Sequence, residues 1–407
     1  MSYIILENAN VLDVVNGDVS ADSYIVIEND EIVEIDNSKP SRGKGRVIDL
    51  KGQTVIPGLI DCHVHVTAFA PTFLELSQSS PTYTALQAAT IMKGMLLRGF
   101  TTVRDVGGAD FGLHKAIEDG LIVGPRLFFG GKALSQSGGH GDMRVPGRDA
   151  FDNGYSQPGL GMIANGIDEV RKAARDEIRR GAHHIKFMGG GGASSPTDRL
   201  DSDQFSEEEI SAIVEEALMA NIYTAVHAYT SRQIERSVRL GVRSIEHCNF
   251  IDQPTAKLMK EKAAFMVPTL VAYHTASKYG LEAGMSKTTV DKINVLLGAG
   301  LNSIELARSQ GIPMAYGSDL VGNFMHKYQL NEFQIRAEVI PPLELLQSAT
   351  LIGAQLLNCS STLGQVKPGY KADVLVYEKN PLDEIGLLQN PENIKTIIKG
   401  GEIIRNV

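Results

Sequence analysis

The chain has 407 residues, enough for two or three domains of ordinary size or for one large barrel with an accessory domain. With 43% hydrophobic and 21% charged residues it has the composition of a globular protein, which excludes a disordered or low-complexity chain. A formal net charge of −9 disfavours nucleic acids and anionic membranes as partners, because both are negatively charged.

The cysteines and the first residues indicate a cellular compartment. Cys62, Cys248 and Cys359 are odd in number and far apart, which suits a reducing compartment and argues against a disulfide framework. The first twenty residues alternate apolar and polar side chains instead of placing basic residues before an apolar run, so we expect no export signal. No run of 18 apolar residues occurs, so we expect no membrane span and a cytoplasmic protein.

Both chain ends contain short alternating segments that are typical of β-strands. The segments are YIILENANVLD, DSYIVIENDEIVEI and GRVIDLKGQTVI near the start, and KADVLVYEK and NIKTIIKGGEIIRNV near the end. We expect residues 1–56 and 362–407 to form one small flanking domain, a β-sandwich, beside a central domain of residues 57–361.

The central region alternates short apolar runs with amphipathic helical patterns, which indicates βα units around a parallel sheet. The eight strand candidates are LIDCHVHV (59–66), TTVRDVG (101–107), RLFFGG (126–131), HIKFMGG (184–190), YTAVHAY (223–229), SIEHC (244–248), AFMVPTL (264–270) and MAYGSDL (314–320). Eight such units predict a TIM (β/α)8 barrel, an α/β fold. Ser206 and Glu209 have the spacing of a helix capping box. The glycine-rich stretch from Ser135 to Asn165 is expected to be a long loop over the barrel mouth.

Polar residues occur at the carboxyl ends of these strands, where a TIM barrel has its active site. The set comprises His63 and His65, which share one face of a strand, together with Lys186, His227, His247 and Asp319. A single histidine on a strand is more often part of the core, but this combination favours a site for zinc or a similar ion. His114 and His183, which fall in a helix and at a strand entry, and His274 and His326, which fall in loops, are assigned no role.

Several motifs together resemble the amidohydrolase superfamily across essentially the whole chain: PGLIDCHVHV, the lysine of IKFMGG, HAY, IEHC, GSD and VKPGYKADVLVYE. The segments SQSGGHGDMR, IKFMGGGGASSPTD and HAYTSRQIERSVRLGVRSIEHCNFID resemble the branch related to imidazolonepropionase. That branch includes Xaa-Pro dipeptidases, metallo-carboxypeptidases acting on dipeptides and N-acyl amino acids, and ochratoxin-type amidases.

The resemblance implies a binuclear site with two divalent metal ions, expected to be zinc. His63, His65 and Asp319 would bind the first ion, and His227 and His247 the second. Lys186 would bridge them as an N-carboxylated lysine, because addition of carbon dioxide turns a repelled ammonium group into an anionic carbamate with two oxygens. Imidazolonepropionases use one metal and lack this lysine, so Lys186 argues against that activity.

The same resemblance implies a mechanism. A metal-bridging hydroxide would attack the amide carbonyl, and Asp319 would act as proton shuttle to the departing nitrogen. His140, in a glycine-rich loop, and Tyr229, two residues beyond His227, would bind the substrate carbonyl or the carboxylate of the leaving amino acid. Arg144 or Arg148 is a weaker candidate for that carboxylate.

Two other motifs could be taken for catalytic or phosphate-binding sequences, but their context disfavours both functions. Gly189 to Gly192 are not followed by GKS or GKT, so they favour close approach of the backbone over a phosphate-binding loop. Ser194 and Ser195 lack a GxSxG context, which disfavours a serine nucleophile.

We therefore expect a metal-dependent hydrolase that cleaves the amide bond to a C-terminal amino acid, with Xaa-Pro dipeptides or N-acyl prolines favoured. An ochratoxin-like amidase, a lactonase or a phosphotriesterase stays open, and turnover of an ester without a carboxylate would discriminate the ester hydrolases. A metal-free assembly protein is disfavoured because all six ligand positions are filled. The expected partner is a small-molecule substrate, and the sequence leaves a homo-oligomer open.

Overall fold

The computed structural model describes residues 3–40, 45–144, 147, 157–195 and 197–407. In these ranges the strands are β1 (Tyr3–Leu12), β2 (Val19–Glu28), β3 (Glu31–Asp36), β4 (Arg46–Asp49), β5 (Thr54–Pro57), β6 (Leu59–Val64), β7 (Phe100–Asp105), β8 (Arg126–Phe129), β9 (Ala133–Ser135), β10 (Gly161–Ile163), β11 (His184–Met188), β12 (Tyr223–Thr230), β13 (Ser244–Phe250), β14 (Phe265–Val267), β15 (Val374–Tyr377), β16 (Ile394–Lys399) and β17 (Glu402–Asn406). The α-helices are α1 (Phe73–Ser77), α2 (Pro81–Leu97), α3 (Phe111–Glu118), α4 (Gly166–Arg179), α5 (Glu207–Met219), α6 (Ser231–Arg239), α7 (Gln253–Glu261), α8 (Leu270–Tyr279), α9 (Lys287–Ser309), α10 (Asn331–Arg336), α11 (Pro342–Ser348) and α12 (Leu351–Leu356). Short 3-10 helices cover His326–Tyr328, Ile385–Gln389 and Pro391–Asn393.

Strands from both chain ends share one eight-stranded sheet. Its order is β17-β16-β15-β5-β1-β2-β3, with β4 beside β1. The junction between the two ends is the antiparallel pair β5 and β15, in which Val55 lies opposite Val376. Apolar residues of both ends, including Leu6, Ile25 and Ile398, form a hydrophobic cluster of their own. The two ends of the chain therefore stabilise each other, because each contributes part of this cluster.

The central region contains two parallel sheets. One has the order β6-β7-β8 and the other β10-β9-β11-β12-β13-β14. Every residue of β6, β7 and β11 is buried, as expected for parallel strands that are covered on both faces. The carboxyl ends of β6, β11, β12 and β13 bring the predicted site residues to one side of the sheets.

The eighth predicted strand, residues 314–320, differs from our expectation. In the described part of the chain this segment forms one parallel bridge, between Met266 and Met314, instead of a strand. Its backbone nevertheless forms hydrogen bonds with β14 and with β6. Ala315 N donates to Met266 O of β14 at 2.9 Å, and Cys62 N of β6 donates to Tyr316 O at 2.8 Å. The backbone then turns at Asp319, whose φ of +51° is incompatible with a continuing strand.

Other predictions can be compared directly with the structure. The capping box is confirmed, since Ser206 accepts from Glu209 N and the Glu209 side chain accepts from Ser206 N. The stretch from Ser135 to Asn165 is not a loop throughout, because β10 pairs in parallel with β9. His274 and His326 do not lie in loops: His274 belongs to α8, and a buried His326 begins a 3-10 helix. Among the described residues, no helix combines the length and apolarity needed to cross a membrane.

Candidate active site

The structure brings all the predicted site residues that it describes to one cavity of about 360 Å³. The lining includes His63, His65, Lys186, His227, His247 and Asp319, together with His140 and Tyr229. The first six form what we call the cavity floor. They come from β6, β11, β12 and β13, from the position directly after β6, which His65 occupies, and from the segment that follows Met314.

Three of the floor residues form a group that could hold a metal ion. His63 Nε2 lies 3.3 Å and His65 Nε2 lies 3.2 Å from Asp319 Oδ1. Asp319 is placed by its backbone, because its N–H donates to His63 O at 2.8 Å. Burial raises the pKa of Asp319, but the neighbouring His63 and His65 outweigh it and hold that pKa well below its usual range. The carboxylate is therefore ionised and available as a ligand.

His63 is oriented by a buried ion pair that the sequence analysis missed. Its Nδ1 donates to Glu246 Oε2 at 2.7 Å, and the two Glu246 oxygens also accept from Arg104 Nη2 at 2.9 and 3.0 Å. Ser244 Oγ donates to the same carboxylate at 2.6 Å. Burial raises the pKa of Glu246, but Arg104, His63 and Lys186 together outweigh burial and hold that pKa well below its usual range. Such a carboxylate behind a ligating histidine fixes its tautomer and raises its basicity.

The other histidines of the floor are held in a similar way. His65 Nδ1 donates to Gly107 O at 2.8 Å, and His227 Nε2 donates to Gly191 O at 3.1 Å. His247 Nδ1 lies 2.8 Å from Thr269 Oγ1. A carbonyl or a carboxylate accepts only, so His63 and His65 keep a lone pair on Nε2 and His227 keeps one on Nδ1. The glycine run after β11 thus supplies a backbone contact to the site.

His247 reaches the floor through an uncommon backbone conformation. Glu246 and His247 are consecutive, so a regular strand would direct them to opposite faces. His247 has a φ of +77° and Cys248 one of +58°, in the left-handed region that non-glycine residues seldom adopt. Both Glu246 and His247 therefore contact the centre: the His247 ring centroid lies 4.9 Å from that of His63 and 4.6 Å from that of His227.

Lys186 is buried on β11 beneath the cavity. Burial lowers the pKa of its ammonium group to about 8, although the charges of Glu246 and Asp319 oppose this. A pKa near 8 makes the neutral amine accessible close to neutral pH, and the neutral amine is the form that can add carbon dioxide. With imidazole nitrogens and a carboxylate beside it, the donor set has the chemistry that zinc and similar ions prefer.

His140 and Tyr229 form part of the cavity wall. The His227 ring centroid lies 4.4 Å from that of His140 and 4.5 Å from that of Tyr229. Arg144 lines the cavity as well, but its guanidinium makes a bidentate contact to Asp142 at 2.9 and 2.7 Å. Arg148, the alternative candidate, lies outside the described residues.

The ion pair of Arg104 and Glu246, which the sequence did not predict, has one weak signal in the sequence. Arg104 is a charged residue in the middle of TTVRDVG, in which every residue that forms β7 is buried. A buried arginine requires a carboxylate partner, but the sequence offered no means of choosing Glu246 among 48 acidic residues.

These features agree with the comparison with known protein families. Residues 54–404 match the model of the amidohydrolase family, so the chain belongs to that family. Membership and the neighbours below support a hydrolytic enzyme, and the family typically binds metals.

Individual relatives are similar over most or all of the chain. An ochratoxinase of Aspergillus niger is 33% identical over 366 residues, which cover 86% of this chain and 75% of that protein. A crystal structure of a prolidase complexed with N-methylphosphonate-L-proline superposes with a TM-score of 0.97 and 42% identity, covering all of both chains. A Xaa-Pro dipeptidase with methionine bound in its active site has a TM-score of 0.90 and 29% identity, again over all of both chains.

Proposed function

We propose that this protein is a binuclear metal amidohydrolase that cleaves the amide bond to a C-terminal proline, with N-acyl prolines as the preferred substrates. The observation that carries the proposal is the convergence of four histidines, one lysine and one aspartate on the floor of a single cavity. The similarity to a prolidase and to a Xaa-Pro dipeptidase supports proline as the leaving group.

The floor residues fit a pair of divalent ions. His63, His65 and Asp319 would hold one ion, and His227 and His247 the other. Each histidine would bind through the ring nitrogen that is not hydrogen-bonded to the protein. Lys186, carboxylated by carbon dioxide, would contribute to both sites. When bound, such ions lower the pKa of water towards about 7 and polarise a carbonyl.

The protein's own groups then perform the proton transfers. Asp319 accepts a proton from the attacking water and passes it to the proline nitrogen as the carbon–nitrogen bond breaks, which releases a carboxylic acid and free proline. The Tyr229 hydroxyl, which lines the cavity, would donate to a substrate oxygen. His140 is a second polar side chain on this wall.

The cavity wall discriminates between acyl prolines and free dipeptides. Phe73, Met285, Val321 and Met325 are among its apolar residues. Among the described lining residues Asp319 is the sole carboxylate, and it faces His63 and His65. Apart from Asp319 and the proposed carbamate on Lys186, both of which would face the metal ions, the described lining offers the ammonium group of a dipeptide no anionic partner. An uncharged acyl chain, in contrast, is matched by the apolar wall.

A matched pair of substrates tests the preference. L-leucyl-L-proline and 4-methylpentanoyl-L-proline differ in the single amino group. We expect kcat/KM of the zinc-loaded enzyme to be about tenfold or more higher for the second compound, because no buried ammonium group has to be desolvated. Equal or better turnover of the dipeptide would contradict the acyl preference, and hydrolysis of neither compound would contradict the proline specificity itself.

We also propose that the two parallel sheets join into one (β/α)8 barrel of residues 57–361, flanked by a domain of residues 1–56 and 362–407. Backbone hydrogen bonds support the junctions: His183 N donates to Phe129 O at 2.9 Å on one side, and Met266 N donates to Pro313 O at 3.0 Å on the other. Amidohydrolase relatives that cover the whole chain support the same architecture.

A further inference from the structure

A chain of hydrogen bonds lies behind His140 and has no part in the chemistry described so far. The Oγ atom of Ser195 lies 2.9 Å from His140 Nδ1 and donates to Asp198 Oδ1. Ser195 and Asp198 are both buried, with 4% and 8% of their surfaces exposed. A buried carboxylate and hydroxyl aligned on a histidine suggest an orienting function.

The direction of these hydrogen bonds assigns the tautomer of His140. A serine hydroxyl has one hydrogen, and here it is directed to a carboxylate, which accepts only. Ser195 Oγ must therefore accept from His140, so Nδ1 carries the hydrogen. In the neutral ring Nε2 then has the lone pair, and it is the nitrogen left for the cavity that the ring lines.

The carboxylate of Asp198 is itself fixed. Its Oδ2 accepts from Gly192 N and from Gln204 Nε2, both at 3.0 Å. The Oε1 atom of the same glutamine accepts from His140 N at 2.9 Å. Lys292, from α9, donates to the carbonyl oxygens of Asp198 at 2.7 Å and Gly192 at 3.1 Å. One set of contacts therefore holds both the ring and the main chain of His140.

The ring is also confined by its neighbours. A Cβ atom on Gly192 would lie 1.9 Å from His140 Nδ1, so glycine is required for the ring to pack on this backbone. His227 lies on the ring as well, with an angle of 33° between the two planes. The orientation of His140 is therefore set by packing and by hydrogen bonds together.

We propose that Ser195 and Asp198 are positioning residues that hold His140 with Nδ1 protonated and Nε2 presented to the reacting groups as a hydrogen-bond acceptor. The proposal rests on the proposed function for the identity of those groups. An acceptor at Nε2 suits a donor such as the attacking water, or the N–H that appears on proline once its nitrogen is protonated. It does not suit the substrate carbonyl or carboxylate, which are acceptors themselves.

The tautomer can be tested without any substrate. In protein labelled with ¹⁵N-histidine at pH 8, long-range ¹H–¹⁵N correlation spectra should show the His140 hydrogen on Nδ1, with the signals assigned by their loss in His140→Gln. In Ser195→Ala the hydrogen should redistribute towards Nε2, and Ser195→Thr should restore the original pattern. A hydrogen on Nε2 and none on Nδ1 in the unmodified protein would overturn the proposal.

Kinetics separate positioning from loop packing. We expect Ser195→Ala to lower kcat for N-acetyl-L-proline about tenfold with little change in KM, the size of one hydrogen bond, while Thr197→Ala, an exposed hydroxyl in the same loop, has no effect. In a His140→Ala background the Ser195→Ala loss should disappear, since nothing is left to orient. An undiminished loss in that background would show a structural role instead. If N-acetyl-L-proline is not hydrolysed at all, the proposed function fails and the spectra still decide this inference.

Discussion

The floor and the wall of the cavity differ in how the protein fixes their side chains. The floor histidines project from strands or directly follow them, and a protein hydrogen bond fixes one nitrogen of each ring. Of the apolar wall residues, Phe73 belongs to helix α1, and Met285, Val321 and Met325 lie outside the strands and α-helices. Methionine side chains are flexible and adapt to different shapes. Under the proposed function, the fixed floor would determine the reaction and the adaptable wall would determine the substrate.

The largest effect is expected from the floor lysine. Lys186→Ala should lose most of the bound metal and lower kcat/KM by about 10³-fold or more, because several kcal/mol of charge stabilisation at the metals disappears. Metal analysis and native mass spectrometry, which would detect added carbon dioxide on the unmodified lysine, check this. Small carboxylic acids should restore part of the activity. An alanine variant that is fully active and retains its metal would show that Lys186 is needed neither for metal binding nor for catalysis.

Asp319→Asn sharpens the assignment of the proton shuttle. An asparagine oxygen can still bind metal but cannot carry the proton, so kcat for an acyl proline should fall by about 10²-fold or more while much of the metal is retained. The loss should be smaller for a nitrophenyl ester, whose leaving group departs unprotonated. Equal losses on amide and ester at unchanged metal content would limit Asp319 to activating the nucleophile.

Glu246→Gln tests whether the floor depends on its buried support. The change keeps the size of the side chain but removes the charge that pairs with Arg104 and the strong acceptor for His63. We expect metal affinity to fall about 10- to 100-fold and the free energy of unfolding to decrease as well. Glu261→Gln, an exposed glutamate at the end of α7, serves as control. Unchanged metal affinity in Glu246→Gln would mean that metal binding by His63 does not depend on the charge of Glu246.

The smallest effect concerns His326, beside the wall residue Met325. Burial lowers the pKa of His326 to about 4 in the folded protein, against about 6.5 for an exposed histidine. The unfolded chain therefore binds the proton more tightly, so stability falls as the pH drops from 6.5 to 4, by about 3 kcal/mol for this group. Denaturation with urea at several pH values should show a weaker loss in His326→Gln. Exposed His274→Gln should behave like the unmodified protein, and an identical pH profile for His326→Gln would contradict the assignment.

The sequence predicted the floor better than its surroundings. His63 and His65 could be found because alternate residues of a strand share a face, and Lys186 because it lies on another predicted barrel strand. The resemblance added the bridging role of Lys186. Strand alternation could not predict Glu246, because it directly precedes His247 and the two would be expected on opposite faces. The positive φ of His247, which lets both residues contact the centre, cannot be recognised from the sequence. The pairing of Ser195 with His140 spans 55 positions and depends on loop geometry. The prediction of the eighth strand was wrong: MAYGSDL begins with the apolar run MAY, but among the described residues of this segment only Met314 forms a bridge, and the backbone turns at Asp319.

The central claim is that the floor is a metal site that drives amide hydrolysis, and titration of metal against activity tests it most directly. Protein stripped with a chelator should not release proline from N-acetyl-L-proline, and activity should rise with added zinc until two equivalents per chain are bound. Saturation at two equivalents, with loss of activity on renewed chelation, is the result that we predict. Undiminished hydrolysis by the metal-free protein, or no hydrolysis by the fully loaded protein, would contradict the account.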